Sequence, residues 1–158
     1  MVSVDMNDIY DPNSMDLRNS LAPLVSQVRM AVLTGVDQEF LHDKEVAALE
    51  VTAAQFAIIA NVLKGNATSA CELCNFMDYD RGAMSRMIDR LESKGLLRRV
   101  ALAHTRRTMA LEVTPAGRAA FPKMQACLAR VVNRLVKGLT KTQVRGVEKA
   151  LKQMLANA

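Results

Sequence analysis

Aromatic side chains are scarce in this sequence of 158 residues: they make up 4% of it, and Trp is absent. Long apolar runs are absent too, since none approaches the roughly 20 residues that span a membrane. The acidic N-terminus does not resemble a secretory or transit peptide. Together these absences predict a soluble, cytoplasmic protein. Half of the residues are nevertheless hydrophobic, and ten Met with many Ala and Leu favour helices over strands.

Residue groupings that would indicate catalysis or a metal site are also scarce. The sequence has no Ser, His and acid grouping and no glycine-rich phosphate loop, so we expect no enzyme and no cofactor. Cys71 and Cys74 form a C-x-x-C pair at the start of a predicted helix, a spacing typical of thiol-disulfide enzymes and redox sensors. No Trp or Pro flanks the pair and the supporting strands are missing, so a redox role is the alternative hypothesis. A zinc site would need His42 or His104, which lie in distant predicted elements.

Charge is distributed unevenly along the chain. Residues 1–50 hold three basic and nine acidic side chains, residues 81–112 hold eight basic and three acidic ones, and residues 113–158 hold nine basic and one acidic. A basic segment can bind phosphates or pack against an acidic segment. We assign the last segment mainly to packing against the acidic N-terminal segment of the same chain or a partner chain. The middle segment is then the candidate for nucleic acid.

The segment DYDRGAMSRMIDRLESKGLLRR, residues 78–99, predicts an amphipathic helix that leads into a basic strand. Asp80 is a suitable N-cap, and Gly95 suits the left-handed position after the helix. On a helical wheel, one side is apolar and consists of Met84, Met87, Ile88 and Leu91. The other side is small and polar and consists of Gly82, Ser85, Arg86, Asp89 and Ser93. Small residues let a helix approach another surface, and Arg side chains can then reach guanine in a major groove.

Two capping boxes predict the helices before this segment. Thr52 with Gln55 opens a helix over residues 53–64, and Ser69 with Glu72 opens a short one. The inward side chains of the short helix are predicted to be Leu73, Phe76 and Met77. Two short helices joined by a tight turn, the second with a basic outer face, form a helix-turn-helix.

After Gly95 the pattern changes to that of a β-hairpin. LLRRVAL and TMALEV predict two strands around the basic tip AHTRR, from which Arg106 and Arg107 project. A cationic hairpin after a helix-turn-helix is typical of a wing, and Arg suits the negative minor groove. The residues predicted to contact double-stranded DNA are therefore Arg81, Gly82, Ser85, Arg86, Arg90, Arg106 and Arg107.

Further helices with apolar stripes flank the predicted winged helix. The segment LHDKEVAALE fits either a continuation of the predicted N-terminal helix or a second short helix. A winged helix does not need these helices, so their stripes predict a second copy of the chain as partner. The fold class is mainly α: an N-terminal dimerisation region at 14–50, a winged helix-turn-helix at 51–113 and C-terminal dimerisation helices at 114–158. Two copies related by a twofold axis would bind a palindrome.

Several strings, in this order and at this spacing, resemble the MarR family of bacterial transcriptional regulators. VTAAQF resembles the family's Leu-Thr-x-x-Gln-aromatic opening. YDRGAMSRMIDRLESKGLLRR resembles its core, Asp-Arg-x-x-x-x-Arg-x-x-Asp-Arg-Leu-Glu-x-x-Gly-Leu. TRRTMALEVTPAGR resembles its wing signature, Asp-x-Arg, five residues, Leu-Thr, then Gly. The resemblance covers residues 51–118 in sequence detail and the flanking helices in architecture.

The resemblance implies a homodimeric repressor that leaves a palindromic operator when a small aromatic or phenolic ligand binds between the dimerisation helices and the winged helix. By matching position, Ser85 and Arg86 would meet bases and Arg107 would enter the minor groove. Thr105 departs from the pattern, because the family has Asp there, which would orient the wing Arg by a charged hydrogen bond. Candidate ligand contacts are Arg29, His42 and Phe56. Each of them also fits an ordinary surface or core role.

Overall fold

The computed structural model of the chain describes residues 9–102 and 105–158, with the backbone alone for residues 102 and 105–108. The elements of this part are α1 (Leu21–His42), α2 (Lys44–Ala47), α3 (Ala53–Leu63), α4 (Ala70–Met77), α5 (Arg81–Ser93), β1 (Leu97–Leu102), β2 (Thr105–Val113), α6 (Pro115–Leu135) and α7 (Lys141–Asn157). The predicted fold class, mainly α with a helix-turn-helix and a β-hairpin, is confirmed. No helix among the described residues is long and apolar enough to cross a membrane.

Side-chain caps fix where the helices begin. Thr52, Ser69 and Thr140 each accept a hydrogen bond from the N–H three residues on, and the Gln or Glu at that position bonds back to complete a capping box. The Asp80 carboxylate accepts a hydrogen bond from the Ala83 N–H at 2.8 Å, which starts α5. Each cap satisfies N–H groups that have no partner within the helix. The predicted starts of α3, α4 and α5 are confirmed.

The first helical region divides into two helices at Asp43. Its Oδ1 accepts hydrogen bonds from the N–H groups of Glu45 and Val46, so α2 begins as a separate short helix. By contrast, α1 runs unbroken through Gly35. A Cβ at Gly35 would lie 2.8 Å from Val131 Cγ1, which shows how closely α6 packs against α1 at this point. The glycine therefore permits the close contact between these two helices.

One hydrophobic core joins α1 to α6 and the hairpin. Its fully buried side chains include Val36, Phe40, Ile58, Ile59, Leu73, Met84, Ile88, Leu91, Leu97, Met124 and Cys127. In contrast, α7 contributes no buried residue. The prediction that Phe76 points inward is wrong, because its side chain is 62% exposed. The inward stripe of α4 runs through Leu73 and Met77, four residues apart, and Phe76 falls outside it.

The hairpin is antiparallel and contains one irregularity. Leu97 pairs with Val113, the register continues to Ala101, and a shift follows directly after that residue. Because β2 begins at Thr105, the predicted basic tip is too long, and its last three residues belong to the strand. The two predicted strands themselves are confirmed.

Two close backbone contacts hold the hairpin against the helices. The Leu111 N–H donates a hydrogen bond to the Thr68 carbonyl at 2.8 Å, which ties β2 to the residues before α4. At the start of α6, a Cβ on Gly117 would lie 2.3 Å from the Leu96 carbonyl oxygen. A glycine is thus needed for the first turn of α6 to lie on the entry to β1.

Candidate nucleic-acid interface

The outward face of α5 carries most of the residues predicted to contact DNA. Burial of Met84, Ile88 and Leu91 turns the opposite side of the helix to solvent. The exposed residues there are Arg81, Gly82, Ser85, Arg86, Asp89, Arg90 and Ser93. The predicted division of α5 into an apolar and a polar face is therefore confirmed, while the DNA contacts remain a prediction.

Three arginines on this face have no carboxylate partner. Arg81, Arg86 and Arg90 form no ion pair with any acidic side chain in the described part of the chain. Between them, Gly82 carries no side chain, and a Cβ at this position would lie 3.3 Å from Arg86 Nη1. A guanidinium fork matches both phosphate oxygens and the major-groove edge of guanine. This face can therefore bind a phosphate backbone and base edges together.

The two arginines of β1 are engaged within the chain. Arg98 donates from Nη2 to Glu112 Oε2 at 2.7 Å, across the hairpin. Arg99 donates from Nη2 to Asp89 Oδ1 at 2.8 Å and from Nη1 to Glu92. Reasoning from the sequence counted this strand simply as basic. The missed signal is that α5 carries two acidic residues three positions apart, Asp89 and Glu92, which face β1.

The end of the wing, at residues 102 and 105–108, is described by its backbone alone. Arg106 and Arg107 lie in β2, beyond the register shift, and not in a tip loop as the sequence predicted. Their side chains, and that of Thr105, lie outside the described residues, as does His104 altogether. Insertion of these arginines into a minor groove therefore remains a prediction.

The basic C-terminal segment packs in part against the acidic segment of the same chain. Glu39 on α1 pairs with Arg130 and, at 2.8 Å, with Arg134 on α6. Glu45 on α2 pairs with Lys123 on α6. The hydrogen bond from Arg130, followed by that from Arg134, lowers the pKa of Glu39 below its ordinary value. The charge complementarity predicted from the sequence is thus met between α1–α2 and α6.

Apolar side chains remain exposed along α7 and the first half of α1. Leu24 and Val28 are 45% and 58% exposed, and Val147 and Leu155 are 53% and 77% exposed. A groove of about 580 Å³ lies between these helices and is lined by Tyr10, Met15, Leu21, Ala22, Val25, Leu151, Met154 and Leu155. No other segment of the described chain buries the apolar stripe of α7. An exposed apolar surface of this size is typical of an interaction site, and only residues outside the described chain could bury it.

The three candidate ligand residues are not brought together. Arg29 is exposed on α1, and His42 is exposed at its end, with Nδ1 2.7 Å from the Gln38 carbonyl oxygen. Phe56 is buried in the core, where its ring stacks on Phe121 with centroids 5.5 Å apart. A cavity of about 460 Å³ opens instead where α1, α2 and α3 meet, and it is lined by Asp37, Phe40, Leu41, Val46, Ala47, Glu50, Val51 and Thr52.

The cysteines are free thiols in different environments. Cys71 is exposed and Cys74 is half-buried on α4. Cys127 is buried in the core, and burial raises the pKa of its thiol, which makes it less reactive. Among the described residues, no group of three His, Cys, Asp or Glu side chains could hold a metal ion.

Comparison with known proteins places these features in one family. Residues 49–108 match the family model described as MarR family. The multiple antibiotic resistance protein MarR of Escherichia coli (strain K12) is 27% identical over 144 residues, which are 90% of this chain and 98% of that protein. In sequence, the chain therefore resembles the MarR family.

Solved structures agree with this assignment. A crystal structure of MarR matches this chain with a TM-score of 0.78 and 24% identity, over 90% of this chain and 93% of that one. A MarR-family regulator from Listeria monocytogenes, solved in complex with 26mer DNA, matches with a TM-score of 0.76 and 20% identity, over 87% and 88% of the two chains. The fold is thus that of the MarR winged helix.

The family resemblance drawn from the motifs is confirmed. The chain is similar to MarR-family transcriptional regulators in sequence, and its fold is the winged helix of their solved structures. The redox alternative based on Cys71 and Cys74 is not favoured by these matches.

Proposed function

We propose that this MarR-family regulator is a homodimeric repressor that binds a palindromic DNA operator. The observation that carries the proposal is the outward face of α5, where three arginines that lack a carboxylate partner in the described chain surround small residues. Small residues let the helix backbone approach the floor of the major groove, and the arginines then reach base edges and phosphates. The use of the same fold on 26mer DNA by the Listeria protein supports this docking mode.

The roles of the side chains follow from their positions on α5. Ser85 and Arg86 lie in the middle of the outward face and contact bases. Arg81 and Arg90 lie towards the two ends of the helix and bind phosphates, which fix the register without selecting a sequence. Gly82 keeps the backbone close to the groove. The interface therefore combines two base-reading residues with two anchoring cations.

The wing extends the interface to the minor groove. Arg106 and Arg107 supply its positive charge, and the motif match assigns the minor-groove contact to Arg107. Thr105 stands where the family has Asp, and a threonine hydroxyl can offer an arginine only a neutral hydrogen bond. We therefore expect a weaker contribution from the wing than from α5.

Dimerisation uses the helices outside the winged helix. In this division, residues 14–50 and 114–158 form the dimer and residues 51–113 bind DNA. Support comes from the exposed apolar side chains of α1 and α7, since two copies can bury this surface against each other. A twofold axis then places two α5 helices about one helical turn of DNA apart.

Repression and release follow from occupancy of the operator. A dimer that covers two half-sites blocks access of other proteins to the same DNA. We propose that a small aromatic or phenolic ligand releases the dimer by binding between the dimerisation helices and the winged helix. The cavity where α1, α2 and α3 meet, with Phe40 in its wall, supports this location.

Selection of bound duplexes from a random pool tests the proposal. The full chain should enrich a palindrome, and sedimentation equilibrium should give a dimer. Leu155→Glu should yield monomers, whereas Phe76→Glu, which changes a side chain of similar exposure on α4, should leave the dimer intact. Enrichment of no sequence, or a wild-type monomer at micromolar concentration, would refute the proposed function.

A further inference from the structure

Lys94 reaches from the end of α5 to a distant part of the chain. It is the C-cap of α5, and its side chain is 23% exposed. Its Nζ donates hydrogen bonds to the carbonyl oxygens of Leu49, at 2.8 Å, and Glu50, at 3.0 Å. The carboxylate of Glu50 lies 3.6 Å from the same nitrogen. One ammonium group therefore binds two consecutive carbonyls of the turn between α2 and α3.

That turn has an unusual backbone. Glu50 has a φ of 50°, in the left-handed region that favours glycine. A non-glycine residue stays in this region when its surroundings hold it there. The ammonium of Lys94 is such a restraint, because it donates charged hydrogen bonds to the carbonyl oxygen of the preceding residue, Leu49, and to that of Glu50 itself.

The turn is also fixed from the side of α1. Asp37 Oδ1 accepts a hydrogen bond from the Ala53 N–H, the first of α3, at 2.6 Å. The residues between α2 and α3 are thus held by an aspartate of α1 at one end and by Lys94 at the other. The packing contacts of α5 itself are with α3, α4 and β1. Through this turn, Lys94 connects the C-terminus of the DNA-facing helix to the region of α1.

We propose that Lys94 is a positioning residue that sets the orientation of α5 relative to α1, and thereby the distance between the two α5 helices of a dimer. The inference rests on the proposed function, in which α1 belongs to the dimer interface. In this proposal, Lys94 lets the dimer discriminate between operators that differ in half-site spacing. Lys94 itself need not touch DNA for this role.

The test compares two lysines that occupy the same kind of position. Lys64 is the C-cap of α3 and is exposed, and it makes no hydrogen bond or ion pair through its side chain to the described residues. The full-length wild type, Lys94→Met and Lys64→Met are titrated against the selected palindrome and against the same half-sites moved apart by one base pair. The insertion rotates one half-site by about 35° relative to the other.

Wild type and Lys64→Met should prefer the native spacing by about tenfold, and Lys94→Met should reduce this preference to about threefold or less. Lys94→Arg, which keeps a cationic donor, should restore most of it. If Lys94→Met does not fold, Lys94→Gln is measured in its place, because its shorter side chain cannot span both carbonyls.

Two outcomes separate the inference from the function it rests on. A Lys94→Met protein that weakens binding to both duplexes equally, and keeps the preference for spacing, would overturn the role of Lys94 alone. A wild-type protein that binds no duplex would overturn the proposed function together with the inference.

Discussion

Arg99 of β1 donates a hydrogen bond to Asp89 of α5 at 2.8 Å, and the same guanidinium binds Glu92. Asp89 lies on the outward face of α5, among the residues proposed to meet DNA. An uncompensated carboxylate there would repel phosphates, and Arg99 offsets its charge. The same contact ties α5 to the root of the wing, so one side chain serves both the electrostatics and the geometry of the proposed interface.

Replacement of Arg99 should therefore cost more than replacement of its neighbour. Arg99→Met removes the cationic partner of both Asp89 and Glu92, and we expect a loss of about 1–3 kcal/mol in the free energy of unfolding. Arg98→Met removes an exposed pair with Glu112 and should cost at most about 1 kcal/mol. Urea denaturation of both variants measures the difference. Equal losses would contradict the structural role given to Arg99.

Arg86→Ala should weaken binding to the selected operator by about 1–3 kcal/mol and relax the base preference at one position in each half-site. The reason is the loss of the guanidinium fork in the middle of the outward face of α5. Arg145→Ala, on α7, removes the same charge outside the proposed DNA contacts and should change the affinity of the dimer little. Titration against operator and random DNA checks this, and equal loss on both for Arg86→Ala would remove its role in base recognition.

Gly117→Ala should destabilise the fold, because the added Cβ would lie 2.3 Å from the Leu96 carbonyl oxygen and 2.7 Å from Val113 Cγ1. A forced backbone shift of this kind costs about 1–3 kcal/mol. At Gly146 on α7, a Cβ would meet nothing within 4 Å, so Gly146→Ala should stabilise the helix by up to about 1 kcal/mol. Thermal unfolding compares the two, and similar melting temperatures would contradict the close packing of α6 on β1.

Stability should decline at acidic pH in part through Glu39. The pKa of this carboxyl is lowered in the folded chain by hydrogen bonds from Arg130 and Arg134, so its contribution is present above the pKa of the unfolded chain. That contribution is lost as the pH falls from the ordinary range of a glutamate carboxyl through the lower pKa of the folded state. Glu39→Gln should reduce the loss of stability at acidic pH, whereas Glu148→Gln on α7 should leave that loss unchanged. Urea midpoints measured from pH 3 to 7 would show it, and parallel curves for Glu39→Gln and wild type would contradict the assignment.

Local signals in the sequence predicted the local structure well. Thr52, Ser69, Thr140 and Asp80 cap helices because the N–H group that each of them binds lies only three residues away. The burial pattern of α5 follows from helical periodicity alone. Phe76 was placed wrongly because a two-turn helix gives too few positions to define its inward stripe.

Contacts between distant residues could not be predicted in this way. Lys94 binds carbonyls 44 and 45 residues earlier in the chain, and nothing in the sequence around either partner indicates the pairing. The arginines of β1 were counted simply as basic residues, because their acidic partners lie on other elements. The candidate ligand residues Arg29, His42 and Phe56 were chosen by type, and the packing of Phe56 against Phe121 places it inside the core.

The central claim is that this chain recognises a specific DNA sequence through α5. The most direct measurement is the dissociation constant of the purified full chain for the selected duplex and for a scrambled duplex of the same base composition, at one salt concentration. Our account predicts tighter binding to the selected duplex by about a thousandfold or more. Equal affinity for the two duplexes would contradict it.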